Sequence, residues 1–231
     1  MTLLQGTGMA AARDIITVDG LGASGKSAIA KGLAASLGYA HLNSGLLYRA
    51  VARMCIVSGV DCADPEEVVA VMSRHAIGLV TDENRSSIVT IDGVAGGAEL
   101  FSKDVSRGAS FVARHQKVRD RLLDLQRQAF VPSGVVAEGR DMGTVIFPQA
   151  RAKFFVVARL DVRAARRHKQ LLGTPQQATL EEVSRELAER DERDATSSVG
   201  TMKQAEGAIV IDNSDDPLDA VISRMAGLIA R

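Results

Sequence analysis

No stretch of this 231-residue chain approaches the ~18 consecutive apolar residues of a membrane-crossing helix, so no span is expected. An excess of charge of either sign is missing too: 28 Lys and Arg stand against 28 Asp and Glu. No global field therefore draws the chain to duplex nucleic acid or to an anionic membrane, and any anion site must be assembled locally. Cysteine is scarce. Cys55 and Cys62 are too few for a disulfide framework or a four-ligand zinc site, and they read as small core residues of a protein in a reducing compartment. There is no internal repeat and no low-complexity tract. The opening MTLLQGTGMAAARD has no basic leader and its apolar part is broken by glycine. Residues 1–14 thus read as a loose tail rather than a secretory signal, with a cytoplasmic protein the expectation.

What is present is ordinary for a folded soluble domain: 46% hydrophobic and 24% charged residues, which excludes disordered, collagen-like and coiled-coil chains. The length suits one large domain, or one core carrying insertions. Nothing indicates an exposed apolar seam, so a monomer is the expectation.

Ile15, Ile16, Thr17 and Val18 form a β-branched run, followed by GLGASGKS (20–27) and then AIAKGLAASLG, whose alanines and leucines suit a helix. VVAEG (135–139), FFVVA (154–158) and AIVID (208–212) are short runs apolar enough to be strands covered on both faces, with helical segments between them. The alternation predicts an α/β fold with a parallel sheet between helical layers, where ligands bind beyond the carboxyl ends of the strands. Two stretches break the rhythm. IGLVTDENRSSIVTIDG (77–93) reads as a small antiparallel insert, within a lobe of roughly residues 55–108. The densely charged stretch from Arg163 to Asp194 contains Thr179 followed by Glu182, a capping box that starts a helix ending near RDERD. Residues 168–194 could form a lid. They could equally form a solvated helix laced with i,i+4 pairs such as Arg190 with Asp194, and spacing alone favours the second.

Gly20-Leu21-Gly22-Ala23-Ser24-Gly25-Lys26-Ser27 fits the phosphate-binding loop GxxxxGK[ST], and it lies between a predicted strand and a predicted helix. Successive backbone N–H groups and the positive end of the helix would converge on a polyphosphate, Lys26 would reach its β and γ phosphates, and the Ser27 hydroxyl would ligate magnesium. Such a loop could serve hydrolysis, a switch or transfer to an acceptor. A chain this short with one such loop fits a small-molecule kinase better than a motor. Arg49, Arg119, Arg140, Arg163, Arg167, Arg190 and Arg193 stand near strand ends or in the charged segment, and guanidinium forks hold phosphate well. The four histidines, His41, His75, His115 and His168, are scattered and read as structural or surface groups, with no convincing base beside the loop.

The loop, HLNSGLLYRAV (41–51), VRDRLLDLQRQAF (118–130), AEGRDMGTVIFP (137–148), RAARRH (163–168) and ERDERD (189–194) resemble, in that order, the motifs of bacterial cytidylate kinases from about residue 15 to the C-terminus. The resemblance implies a three-layer P-loop kinase fold with an enlarged monophosphate-binding insertion and a lid. It also implies Mg²⁺-assisted transfer of the γ phosphate of ATP to CMP or dCMP, both small-molecule partners. The acceptor monoester has a second pKa near about 6 and needs no general base. By the resemblance, the loop from Gly20 through Ser27 and Ala28, together with Arg163 and Arg167, would hold ATP, with Ser27 on the metal. Ser44, Arg49 and Arg140 would hold the monophosphate. Ser110, Arg119 and Asp141 would read cytosine, whose amino group suits a carboxylate while its N3 and O2 suit donors. Lys26, Arg140, Arg190 and Asp194 would be catalytic, and Glu138 could orient a magnesium-bound water. Taken without the resemblance, Ser44 could cap a helix, Ser110 could be a packing residue, and Arg119 could pair with Asp120 or Asp124.

The chain departs from the family at four places: Asn43 where aspartate is usual, Phe101 where an arginine is common, Leu21 where proline is usual, and ATSSVGTM (195–202) where arginine and proline tend to follow. Two functions remain open: an active kinase, or a nucleotide-binding sensor or interaction module that has lost efficient transfer.

Overall fold

The computed structural model describes residues 15–128, 134–174, 176–196, 199 and 202–230. The tail expectation for residues 1–14, and the departures at 197, 198, 200 and 201, lie outside the described residues. Five parallel strands make the main sheet in the order β2-β6-β1-β7-β8. They are β1 (Ile15–Gly20), β2 (Ala40–Asn43), β6 (Val135–Gly139), β7 (Ala152–Val157) and β8 (Ile209–Asp212). The run IITVDG forms the central strand because it is buried from Ile16 onward, which favours β-branched side chains. Helix α1 (Lys26–Leu37) buries Ile29, Ala30, Leu33 and Ala34 as one stripe and stops at Gly38, which takes a left-handed φ of 67° and whose N–H donates back to the Ala34 and Ala35 carbonyls.

Alternation along the strands divides the core in two. Ile16, Val18, Val136, Phe154 and Val156 meet α1 and the C-terminal helix α8 (Leu218–Ile229) on one face, while Val135 and Ala137 meet Leu42, Met142, Ile146 and Phe147 on the other. Phe154 is 1% exposed at the centre of the first face. Its replacement by alanine is expected to cost about 3–5 kcal/mol, read as a lower midpoint of urea unfolding with an unchanged m value.

Helices α2 (Gly45–Val57), α3 (Pro65–Met72), α4 (Lys103–Val112) and α5 (Gln116–Gln128) enclose a separate core. Cys55 and Cys62 lie buried and unbridged in it, and burial pushes the Cys55 thiol up to about 12. Residues 77–93 form the antiparallel pair β3 (Ile77–Thr81) and β4 (Ser87–Ile91), and β5 (Val94–Ala95) adds a third strand that the sequence did not suggest. The tip of this hairpin covers the β2 edge of the main sheet: His41 N–H donates to the Arg85 carbonyl at 2.7 Å, and Asn43 N–H to Ser87 Oγ at 2.9 Å. Edge strands are commonly protected in this way.

Helices α6 (Leu160–Leu171) and α7 (Leu180–Thr196) pack through Ala164, Leu171, Val183 and Leu187. The capping box forms, with Glu182 N–H on Thr179 Oγ1 and Thr179 N–H on Glu182 Oε2. Among the described residues no helix is long and apolar enough to cross a membrane.

Candidate active site

Register brings three loops side by side. Asp19 of β1 is paired with Gly139 of β6, and Glu138 with Asn43 of β2. The phosphate-binding loop, the Ser44 turn and the Arg140–Asp141 turn therefore leave neighbouring strands at the same, carboxyl, end of the sheet. Together with α4, α6 and α7 they surround a cleft of about 790 Å³, near the upper end for ligand pockets.

Gly20 lies so close to β7 that a Cβ there would sit 2.0 Å from the Val156 carbonyl oxygen. Ala23 and Gly25 take φ values of 57° and 89°, and α1 has no side-chain cap at Gly25, leaving its first amides for a ligand. Ser24 Oγ and Lys26 Nζ point back to the Leu21 carbonyl at 3.0 and 3.5 Å. Gly22, Ala23, Gly25, Lys26, Ser27 and Ala28 line the cleft. Burial, and then Arg140, push Lys26 down to about 7.

Ser27 Oγ donates to Glu138 Oε2 at 2.6 Å, and His41 Nε2 lies 3.1 Å from Glu138 Oε1. Burial works against charge on Glu138, yet His41, Lys26 and Ser27 hold its carboxyl below the usual range. His41, read from the sequence as a structural or surface group, thus lies against Glu138, the carboxylate offered there as able to orient a magnesium-bound water. The alternation of β6 was the available signal, because Glu138 shares a face with Val136, which packs on α1.

Beside Glu138, Ser44 makes no helix-cap bond and donates its hydroxyl to the Glu138 carbonyl at 2.8 Å. Arg49 Nη1 donates to the Leu100 carbonyl and to Ser106 Oγ at 2.7 and 2.8 Å, and its guanidinium lies 5.2 Å from the Phe101 ring centre. Deeper in, Arg119 pairs with Asp141 rather than with Asp120 or Asp124, and stacks on Tyr48 at 5.6 Å. Both partners are almost wholly buried. Beside them Ser110 lines the cleft, and its Oγ is buried with no hydrogen-bond partner.

The helical pair α6–α7 supplies the third wall. Arg190, Asp194 and Arg167 line the cleft, and Arg140 Nε donates to Asp194 Oδ2 at 3.0 Å. Burial, and then Arg140, hold Arg190 down to about 10; Arg49 is lowered by burial and by Arg167 and Arg140. Arg163 does not line the cleft. It is 4% exposed, with its donors on the Ala158 and Gly22 carbonyls and on Asp191. It braces the loop from behind, which corrects its expected place beside the donor nucleotide. The neighbour that faces the cleft is Arg166, missed from the sequence, whose Nη1 is buried without a partner. Asn213, also missed, donates to the Ser24 carbonyl at 2.7 Å. Arg163 and Arg166 are three residues apart on one helix face, so their different partners decide between them, and those were not legible from charge alone. The expected i,i+4 pair of Arg190 with Asp194 stands at 3.9 Å, and Arg193 with Glu189 makes another at 3.8 Å. The helix also reaches other elements through Asp191, Asp194 and Glu186, the last bonded to Lys103 of α4 at 2.6 Å.

Among the described residues no three His, Cys, Asp or Glu side chains form a metal cage. Ser27 Oγ and the Glu138 carboxylate are hard oxygen donors. They suit an ion that takes one or two protein oxygens and completes its shell with phosphates and water, as magnesium does.

A model of the cytidylate kinase family matches residues 16–231. The cytidylate kinase of Ralstonia nicotianae is 39% identical over 211 residues, covering 91% of this chain and 90% of its own. That of Cupriavidus necator is 37% identical over 212 residues, 92% and 93% of the two chains. That of Acidiphilium cryptum is 39% identical over 215 residues, 93% and 94%.

Proposed function

Because the chain belongs to the cytidylate kinase family, we propose that it transfers the γ phosphate of ATP to CMP or dCMP without a general base. The supporting observation is the crowd of cations round one cleft. Lys26, Arg49, Arg140, Arg167 and Arg190 line it together, and several of them depress one another's pKa values. Such crowding is costly unless a polyanion relieves it.

In this reading the amides of residues 22–27, with Lys26, hold the triphosphate, and Arg166 and Arg167 close on the donor side. Ser44, Arg49 and Arg140 hold the acceptor phosphate. Its second pKa of about 6 leaves the attacking oxygen mostly deprotonated at neutral pH, so the work of the site is alignment, charge neutralisation and exclusion of water. Arg190 and Asp194 bring α7 onto the same cleft as the lid. Ser27 and Glu138 would hold Mg²⁺, which supplies charge compensation on the phosphate oxygens when bound. Cytosine would take the place that Arg119 and Asp141 now fill for each other, giving its amino group to Asp141 and its N3 and O2 to Arg119 and Ser110.

Two of the four departures are absorbed locally. Asn43 Oδ1 accepts from Gly45 N–H at 3.0 Å and so keeps the turn at α2, while Phe101 offers Arg49 an aromatic face instead of a second cation. The test is an acceptor panel of CMP, dCMP, UMP, AMP and GMP with ATP and Mg²⁺, following ADP release. CMP and dCMP are expected to be turned over at least about a hundredfold more efficiently than the others. Equal use of CMP and AMP would remove the cytosine assignment.

A further inference from the structure

The last side chain of β1 before the phosphate-binding loop is that of Asp19, which is 2% exposed. Its two oxygens divide between adjacent amides: Oδ1 accepts from Met142 N–H and Oδ2 from Gly143 N–H, each at 2.8 Å. Those amides open a single π-helical turn, Met142–Ile146, and the residue before it is Asp141. Such turns are rare and concentrate at functional sites. The fit is close, since a Cβ on Gly143 would lie 2.9 Å from Thr17 Oγ1 and 3.4 Å from Asp19 Oδ2. Burial pushes the Asp19 carboxyl up to about 6; the two amides oppose the rise, nearby Asp141 adds to it and Arg140 counters it. A buried carboxylate beside another carboxylate is a costly way to fasten a turn that only had to be folded. Its distinctive property is that it grips two consecutive N–H groups at once with charge-assisted bonds.

We propose that Asp19 is a positioning residue for the acceptor nucleotide, clamping the turn behind Asp141 to the strand that carries the phosphate-binding loop. One rigid frame then sets the distance between the base-reading carboxylate and Lys26. The inference rests on Asp141 reading the base. The clamp itself can be measured without a substrate.

In the full-length enzyme, Asp19→Asn keeps the shape but turns an NH₂ toward one of the two amides. Its kcat/KM for CMP is expected to fall about a hundredfold, the cost of a small misplacement of a reacting group, with the CMP-to-UMP ratio of kcat/KM falling at least about tenfold and the ATP Kd changing by less than about threefold. In the wild type that ratio falls as pH drops through about 6, because a proton on Asp19 removes an acceptor from an amide. Titration of the monophosphate cancels, being common to both acceptors. In Asp19→Asn the ratio is low and flat over that range. Hydrogen exchange at Met142 and Gly143 is faster in the variant, while the amides of residues 22–27 keep their protection. Should Asp19→Asn not fold, Gly143→Ala leaves the carboxylate in place, pushes the turn off Thr17 and must give the same acceptor-specific losses. Unchanged base preference with unchanged exchange would overturn the clamp, as would equal weakening of ATP and CMP binding. A wild type with no base preference would refute the reading of Asp141, and exchange at Met142 and Gly143 would still decide for or against the clamp.

Discussion

The Lys26→Ala variant is expected to turn over ATP and CMP about 10³-fold more slowly than the wild type, as happens when a single charge aimed at the transferring group is removed. Lys26 opens α1 beneath the loop, half-buried in the cleft wall, where burial, Arg140 and Arg190 push its pKa down to about 7. In such a place an ammonium acts on a developing phosphate charge with little screening. Two neighbouring guanidiniums are already engaged. Arg140 is bonded to Asp194 and to the Gly139 carbonyl, and Arg163 to the Gly22 and Ala158 carbonyls and Asp191. Steady-state rates give the loss, and calorimetry with ATP separates it from binding through the main-chain amides. A rate within tenfold of wild type would show that transfer occurs elsewhere. A wild type no faster than the variant, yet binding nucleotide tightly, would instead favour the sensor or interaction function.

The second large effect belongs to Asp141→Asn. Its carboxylate is almost wholly buried against Arg119, so the substitution removes a charged acceptor and leaves a buried guanidinium short of its partner. Hydrogen bonds to charged groups contribute about 1.5–3 kcal/mol each, so kcat/KM for CMP should drop about a hundredfold. The asparagine amide can meet the O4 of uracil, which the carboxylate repels. UMP therefore loses little or gains, and the CMP-to-UMP ratio narrows by about 10² or more. A ratio equal to that of the wild type would place base recognition elsewhere in the cleft.

Much of the architecture could be read from the residues. The β-branched run, the glycine-rich loop and the alanine-rich helix announce β1, the loop and α1, because local propensity and tertiary burial agree there. VVAEG, FFVVA and AIVID became β6, β7 and β8 for the same reason. Strand β2 was not legible, because it is four residues long and includes His41 and Asn43; it exists by pairing with β6 and by the hairpin laid on its free edge. In the candidate site, residues from separate continuous motifs meet: Ser44, Arg49, Arg140 and Asp141 all line the cleft. Side chains whose partners lie about a hundred residues away escaped, as with His41 on Glu138 and Asp19 on Met142. Nothing local marks a buried carboxylate as different from an exposed one. The same limit exchanged Arg163 for Arg166: the two lie one turn apart on the same face of α6, and it is the bonds of Arg163 to the Gly22 and Ala158 carbonyls and to Asp191 that keep it out of the cleft.

Tips of hairpins are where chains usually accept extra residues, but the tip at Arg85 is not free to grow. Its carbonyl receives the His41 amide, and Ser87 receives that of Asn43, one residue before Ser44. An insertion between Asp82 and Ser86 would therefore shift the strand that presents Ser44. Length variation among natural variants should be tolerated at the Val94 end of this small sheet and selected against at Arg85.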